Sequence, residues 1–120
     1  MGREREIIKR IGFLLKVKED RVDEYKKHHQ NVWPEMRKAL SQNGWGNYSL
    51  FMRQDGLMFG YFETPEDFQT ALGNMDNEEI NARWQEFMAP FFQAVDDTTG
   101  DNEVHADKIM VELEEVFHLD

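Results

Sequence analysis

Gly46-Asn47-Tyr48-Ser49-Leu50-Phe51-Met52-Arg53-Gln54-Asp55-Gly56-Leu57-Met58-Phe59-Gly60-Tyr61-Phe62-Glu63 occupies the middle of the chain and reads as a β-hairpin. Residues 46–53 and 57–63 are rich in aromatic and long apolar side chains, and the Asp55-Gly56 pair between them is a turn signal. Working toward the N-terminus, Pro34 opens a helix over 34–42 that Asn43-Gly44 ends. An earlier helix spans about 21–29, with Asp20 as its N-cap. Before it, residues 7–17 form a strand with Ile11, Phe13, Leu15 and Val17 on one face and Gly12 and Leu14 on the other. Toward the C-terminus, Thr64 as N-cap and Pro65 at the first helical position start a helix that Gly73-Asn74 closes. A further helix runs from Glu78 to about Phe92, with Ile80, Trp84, Phe87, Met88 and Phe91 on one side and Pro90 limiting its end. The polar, acidic stretch 96–103 is a solvated loop and the expected mobile segment. Residues 108–118 alternate with a period of two and form the last strand.

The resulting order, β-α-β-β-α-β with each helical section broken or doubled, is α+β and ferredoxin-like. It implies a four-stranded antiparallel sheet with helices on one face. Strands 1, 2 and 3 are apolar on both faces, and helices cover only one. A second sheet is the physical expectation for the other face, hence a homodimer.

A chain of 120 residues corresponds to one domain, 1–120, with a single modest core. Its 24 acidic and 14 basic residues give a net charge of −10, which argues against nucleic acid or an anionic membrane surface as partner. Apolar runs fall short of the ~20 residues that cross a bilayer. Met1-Gly2-Arg3-Glu4-Arg5-Glu6 has no apolar leader segment, and the chain has no cysteine for disulfides, thiolate chemistry or metal ligation. These features point to a cytoplasmic protein handling a neutral small molecule.

The residues best suited to chemistry lie in Asp23-Glu24-Tyr25-Lys26-Lys27-His28-His29-Gln30-Asn31-Val32-Trp33-Pro34-Glu35. Tyr25 and His29 are four apart and share a helical face. Pro34 breaks the helix near 30–33, so His29 sits at a helix end beside a backbone break. Histidine gives and takes a proton near neutral pH; a capping histidine at a helix C-terminus is the plain alternative. His28 lies about 100° round the helix and reads as solvated surface. Trp33 is also four residues from His29. Aromatic residues at helical spacing are more often core than ligand contacts. Tyr25 and Tyr48 nevertheless carry hydroxyls that need partners when buried, and Trp84 offers an indole face on which a sugar ring packs. The acidic pairs Glu78-Glu79, Asp96-Asp97 and Glu114-Glu115 diverge and read as solvated. His105 and His118 lack partners at metal-ligand spacing, and phosphate loops, nucleophile elbows and metal motifs are missing from the sequence.

Several of these stretches together resemble the L-rhamnose mutarotase family. Asp23-Glu24-Tyr25, His29 and Val32-Trp33-Pro34-Glu35 resemble its first helical region. Gly44-Trp45-Gly46-Asn47-Tyr48-Ser49-Leu50 is similar to its second strand. Arg83-Trp84-Gln85-Glu86-Phe87-Met88 is similar to its third helical motif, and Glu112-Leu113-Glu114-Glu115-Val116-Phe117-His118-Leu119 to its terminal strand. The resemblance spans about residues 8–120. It implies a cofactor-free isomerase that interconverts the α and β anomers of L-rhamnopyranose and is built as a dimeric α/β barrel. The family's catalytic histidine falls on His29 and its sugar-binding tyrosines on Tyr25 and Tyr48. Its tandem tryptophans fall on Trp84 and Gln85, where an amide replaces the second indole. With Trp33, these residues form the candidate site for a monosaccharide, L-rhamnose or a related 6-deoxy sugar. Two other readings stay open: a small dimeric α/β-barrel monooxygenase or haem-handling protein with a histidine ligand, and a non-catalytic sugar-binding module.

Overall fold

The structure, a computed structural model, describes residues 8–97 and 104–120. The N-terminal segment up to Ile7 and residues 98–103 of the acidic stretch lie outside the described residues. The elements are β1 (Lys9–Val17), α1 (Val22–His29), α2 (Pro34–Gln42), β2 (Gly46–Met52), β3 (Leu57–Thr64), α3 (Phe68–Asp76), α4 (Glu79–Met88), β4 (Phe92–Gln93) and β5 (Val111–Leu113). All pairings are antiparallel and the sheet order is β2-β3-β1, with β4 and β5 both on the remaining edge of β1. β4 takes the Lys16–Val17 end and β5 the Gly12–Leu14 stretch, so two short strands share the fourth position. This is the expected α+β, ferredoxin-like sheet.

The hairpin is tight because its turn is chemically specified. The amide of Gly56 donates to the Arg53 carbonyl at 2.9 Å, the amide of Arg53 donates to the Leu57 carbonyl at 2.8 Å, and Gly56 has φ +94°. A type I turn followed by a left-handed residue is the common three-residue hairpin loop. The Gly56 carbonyl then accepts from the amide of Val17 at 2.9 Å, and a Cβ on Gly56 would collide with the Val17 carbonyl. At Gly60 a Cβ would collide with the ring of Phe13, which packs over that strand.

One sheet face is buried. Ile11, Phe13, Leu15 and Val17 of β1 and Met58 and Phe62 of β3 meet Val22, Tyr25, Met36, Ala39, Phe68, Ala71, Met75, Trp84 and Met88 from the helices. The other face is open: Phe51, Phe59, Val111 and Leu113 are exposed there. Between Gly46 and Ser49 the β2–β3 register shifts by one residue, a bulge in which Asn47 adopts φ +46°. The extra residue leaves Ser49 and Phe51 on the open face and keeps Tyr48, Leu50 and Met52 on the helical side.

Several sequence expectations need correction. Asp20 does not cap α1: a 3-10 turn over Glu19–Arg21 comes first, and Arg21 stands at the N-cap without a side-chain cap bond. Thr64 ends β3 rather than starting α3. Its Oγ1 accepts from the Glu66 amide at 3.1 Å, and Asp67 is the cap, with Oδ1 accepting from the Thr70 amide at 2.7 Å. α3 continues through Gly73 to Asp76, because Met75 is buried in the core beyond that glycine. α4 stops at Met88 and tightens to a 3-10 turn over Ala89–Phe91 that contains Pro90. The last strand is three residues long rather than spanning 108–118; Ala106–Lys108 is a 3-10 turn, and the chain from Glu114 onward is exposed.

Candidate active site

α1 delivers the central pair. Its last residue, His29, turns its ring back along the helix so that Nδ1 lies 3.2 Å from the Tyr25 carbonyl oxygen. A carbonyl only accepts, so Nδ1 carries the proton and Nε2 is left as the basic nitrogen. The ring also stacks on that of Tyr25, with centroids 4.0 Å apart and planes at 25°. Burial lowers the His29 pKa from its ordinary value of 6.5; the bond to the Tyr25 carbonyl opposes this and nearby His28 adds to it. His29 therefore stands as a neutral imidazole at pH 7, one nitrogen committed and the other available.

Both candidate tyrosines are held as neutral phenols. The Tyr25 side chain is buried, and its hydroxyl donates to Met58 Sδ at 3.6 Å. Burial, reinforced by Tyr48, pushes its pKa well above the ordinary phenol value. Tyr48 is likewise raised by burial. Its ring is wedged among Trp45, Phe62 and Phe13 at centroid distances of 5.1, 6.0 and 6.2 Å. That aromatic wedge and the bulge beside Asn47 fix where the Tyr48 side chain stands.

α4 supplies the opposite wall. The Trp84 indole meets the His29 ring edge-on at 5.5 Å. Trp33, the residue before Pro34, packs against Trp84 at 4.9 Å and against Phe87 at 5.3 Å. A cavity of about 560 Å³ lies between the helices and the buried sheet face. Such a volume suits a small-molecule ligand. His29, Tyr25, Tyr48, Trp84 and Gln85 all border it, whereas Trp33 stands behind Trp84 and does not. Apolar side chains such as Leu15, Val32, Met36, Leu50 and Met88 complete much of the wall. Among the described residues no three His, Asp or Glu side chains cluster as metal ligands, and no helix is long and apolar enough to cross a membrane.

A sequence model of the L-rhamnose mutarotase family matches residues 10–119. The chain belongs to the L-rhamnose mutarotase family. It is 38% identical to the L-rhamnose mutarotase of Oceanobacillus iheyensis over 114 residues, covering 94% of this chain and 100% of that protein. With the L-rhamnose mutarotase of Bacillus subtilis it shares 32% identity over 114 residues, again 94% and 100% of the two chains. The crystal structure of an L-rhamnose mutarotase from Formosa agariphila superposes with a TM-score of 0.71 at 27% identity, over 93% of this chain and 99% of that one. Membership makes this an isomerase-class enzyme of the kind that acts on sugar anomers.

Within this mutarotase fold, three placements go beyond the sequence reading. His28 is not a solvated residue: its ring is half-buried edge-on against Phe87 at 5.0 Å and Phe91 at 5.4 Å, outside the cavity. Asn81 borders the cavity and is buried at 4% exposure. It stands three residues before Trp84 and four before Gln85, so helical spacing alone puts it on their face. Asp107 also borders the cavity. It comes from the segment after the acidic stretch, and no local pattern announces it.

Proposed function

We propose that this chain catalyses the interconversion of the α and β anomers of L-rhamnose, with His29 as acid/base and no cofactor. The reading rests chiefly on one observation, the half-buried His29 whose Nδ1 is tied to the Tyr25 carbonyl beside a cavity with ample room for a monosaccharide. Its neutral Nε2 takes the proton of the anomeric hydroxyl. The electrons of that O–H bond form the aldehyde carbonyl, and the bond from the anomeric carbon to the ring oxygen breaks. The ring oxygen then takes a proton, returned by the imidazolium or relayed through a phenol. Rotation about the bond to the freed aldehyde carbon presents its other face, and the same transfers in reverse close the ring to the other anomer.

The tyrosines divide by their hydroxyls. Tyr25 is engaged with Met58 and braces the imidazole from below, whereas Tyr48 has no hydrogen-bond partner among the described residues. Tyr48 is therefore the phenol suited to a sugar oxygen, and Trp84 the surface for the sugar's C–H face. Trp33 acts from behind by holding Trp84. The working form is a homodimer joined through the open sheet face, completing the α/β barrel; the exposed Phe51, Phe59, Val111 and Leu113 support this. The cysteine-free composition fits a cytoplasmic site of action.

The test is NMR saturation transfer between the α and β anomeric proton lines of L-rhamnose. Wild-type protein is expected to accelerate exchange, and His29→Ala to lose roughly 10²–10⁴-fold while keeping its circular dichroism spectrum. Undiminished exchange in the folded variant would remove His29 from the mechanism. Saturable binding of L-rhamnose without accelerated exchange would favour a binding module instead.

A further inference from the structure

Three cavity-lining side chains outside the His29 cluster form a closed polar ring. Gln85 Nε2 donates to Asn81 Oδ1 at 3.2 Å, Asn81 Nδ2 lies 3.5 Å from Asp107 Oδ2, and the Asp107 amide donates to Gln85 Oε1 at 3.3 Å. Asn81 and Gln85 are buried at 4% and 7% exposure. The ring satisfies every polar atom it contains but one. Asp107 Oδ1 is cut off from solvent and has no hydrogen-bond partner among the described residues.

A buried acceptor without a donor is costly, and a carboxylate oxygen more so than a carbonyl. Two further points give that oxygen a use. The Asn81 contact to the other carboxylate oxygen is at the outer limit for a hydrogen bond. Asp107 borders the cavity, and the carboxylate torsion of an aspartate is broad, so rotation of the group can present an oxygen to a ligand there. Everything else Asp107 needs is already supplied by α4, which holds its backbone through Gln85. The ring also starts one turn from Trp84, the indole against which His29 rests. An apolar ligand group would leave the oxygen unsatisfied; an O–H group would satisfy it.

We propose that Asn81, Gln85 and Asp107 form a hydroxyl-recognition subsite, in which one sugar hydroxyl donates to the Asp107 carboxylate, Asn81 holds that carboxylate, and Gln85 fixes both Asn81 and the Asp107 backbone. This rests on the reading of the cavity as a monosaccharide site and adds its specificity element. Gln85 is central: an indole at that position has no group that accepts and donates at once, and the ring would not close. The subsite ranks sugars by one hydroxyl, independently of the proton transfers at His29.

The experiment measures sugar affinity by intrinsic tryptophan fluorescence for wild-type, Asp107→Ala and Asp107→Asn proteins. The probes are L-rhamnose, its mono-deoxy ring analogues, and L-mannose, which differs from L-rhamnose by one exocyclic hydroxyl. For one sugar pair the extra hydroxyl is expected to tighten wild-type binding by roughly tenfold or more, and by less than about threefold in Asp107→Ala. Asp107→Asn, which keeps the shape and a neutral acceptor, falls between. A loss in Asp107→Ala that is equal for every sugar would mean a purely structural ring and would overturn the subsite. So would wild-type affinities that no single hydroxyl changes. Anomer exchange followed on the same samples separates the two readings. Exchange without hydroxyl discrimination removes the subsite and leaves the mutarotase, discrimination without exchange does the reverse, and failure to bind any of the sugars removes both.

Discussion

At the scale of single residues, His29 makes a prediction about pH that its environment signs. Burial is the leading influence on its pKa and lowers it from 6.5, with the Tyr25 carbonyl opposing and His28 assisting. With His29 as the proposed base its neutral imidazole would be the reactive form, so kcat/KM should be flat through neutral pH and fall only at a pH below 6.5. Tyr25 and Tyr48 are raised above 10, so neither should produce an alkaline limb below that value. Linkage carries the same sign into stability. Above the unfolded-state pKa both states are neutral at His29 and the residue contributes no pH dependence. As pH falls below it, the unfolded chain takes up the proton first, so stability declines until the folded pKa is reached and levels off beneath it. Denaturant midpoints for wild-type and His29→Ala proteins across this range should differ in slope only within that window. An acid limb of kcat/KM at or above 6.5 would contradict the desolvated, neutral imidazole.

At the scale of elements, the hairpin yields the sharpest stability prediction. Gly56 has φ +94°, and the Val17 carbonyl occupies the space a Cβ would need. Gly56→Ala must strain the turn and push β1 away from the hairpin, so it should cost at least about 1 kcal/mol. Chemical denaturation measures that cost; an unchanged midpoint would mean the turn relaxes freely. The same hairpin shows why much of the fold was legible. Asp55-Gly56 and the flanking apolar strands act over a few residues, as do Pro34 and Asn43-Gly44, and α2 spans Pro34–Gln42 as the sequence predicts. The pair Tyr25 and His29 was legible for the same reason, being one helical turn apart. Where two local signals compete, the sequence misleads: Thr64 and Asp67 are both capable caps, and the strand extends through Thr64 because its backbone pairs with Lys9. β4 carries too few residues for any periodicity, and of the alternating stretch 108–118 only Val111–Leu113 pairs, because β1 offers just the edge beyond the part that β4 takes. The Asn81–Gln85–Asp107 ring joins residues 22 and 26 positions apart, and such closure is written in the tertiary fold rather than in spacing.

At the scale of the whole molecule, the two faces of the sheet have separate tasks. The cavity and every residue bordering it lie on the helical side or at its rim. The open face carries Phe51 stacked beside Phe59 at 6.5 Å, and Val111 and Leu113 continue the patch across β1. Burying a large apolar side chain stabilises an assembly by about 1.5–3 kcal/mol, so the four exposed residues favour this face as the seam of the proposed homodimer. Wild-type protein should therefore sediment as a dimer at micromolar concentration. Placing charge on the seam with Phe51→Lys and Val111→Lys should shift it toward monomer, because each lysine replaces a favourable burial with an unpaired charge. Phe51 is 62% exposed and Val111 45% in the isolated chain, so neither change should disturb the helix-side core, and circular dichroism should stay unchanged. Because His29, Tyr48, Trp84 and the polar ring all come from one chain and face away from the seam, the monomeric variant should keep anomer exchange per chain within about threefold, a shift of under about 1 kcal/mol. A large loss of exchange on dissociation would show that the partner subunit completes the site. A monomeric wild-type protein would instead show that the open face serves some purpose other than self-association.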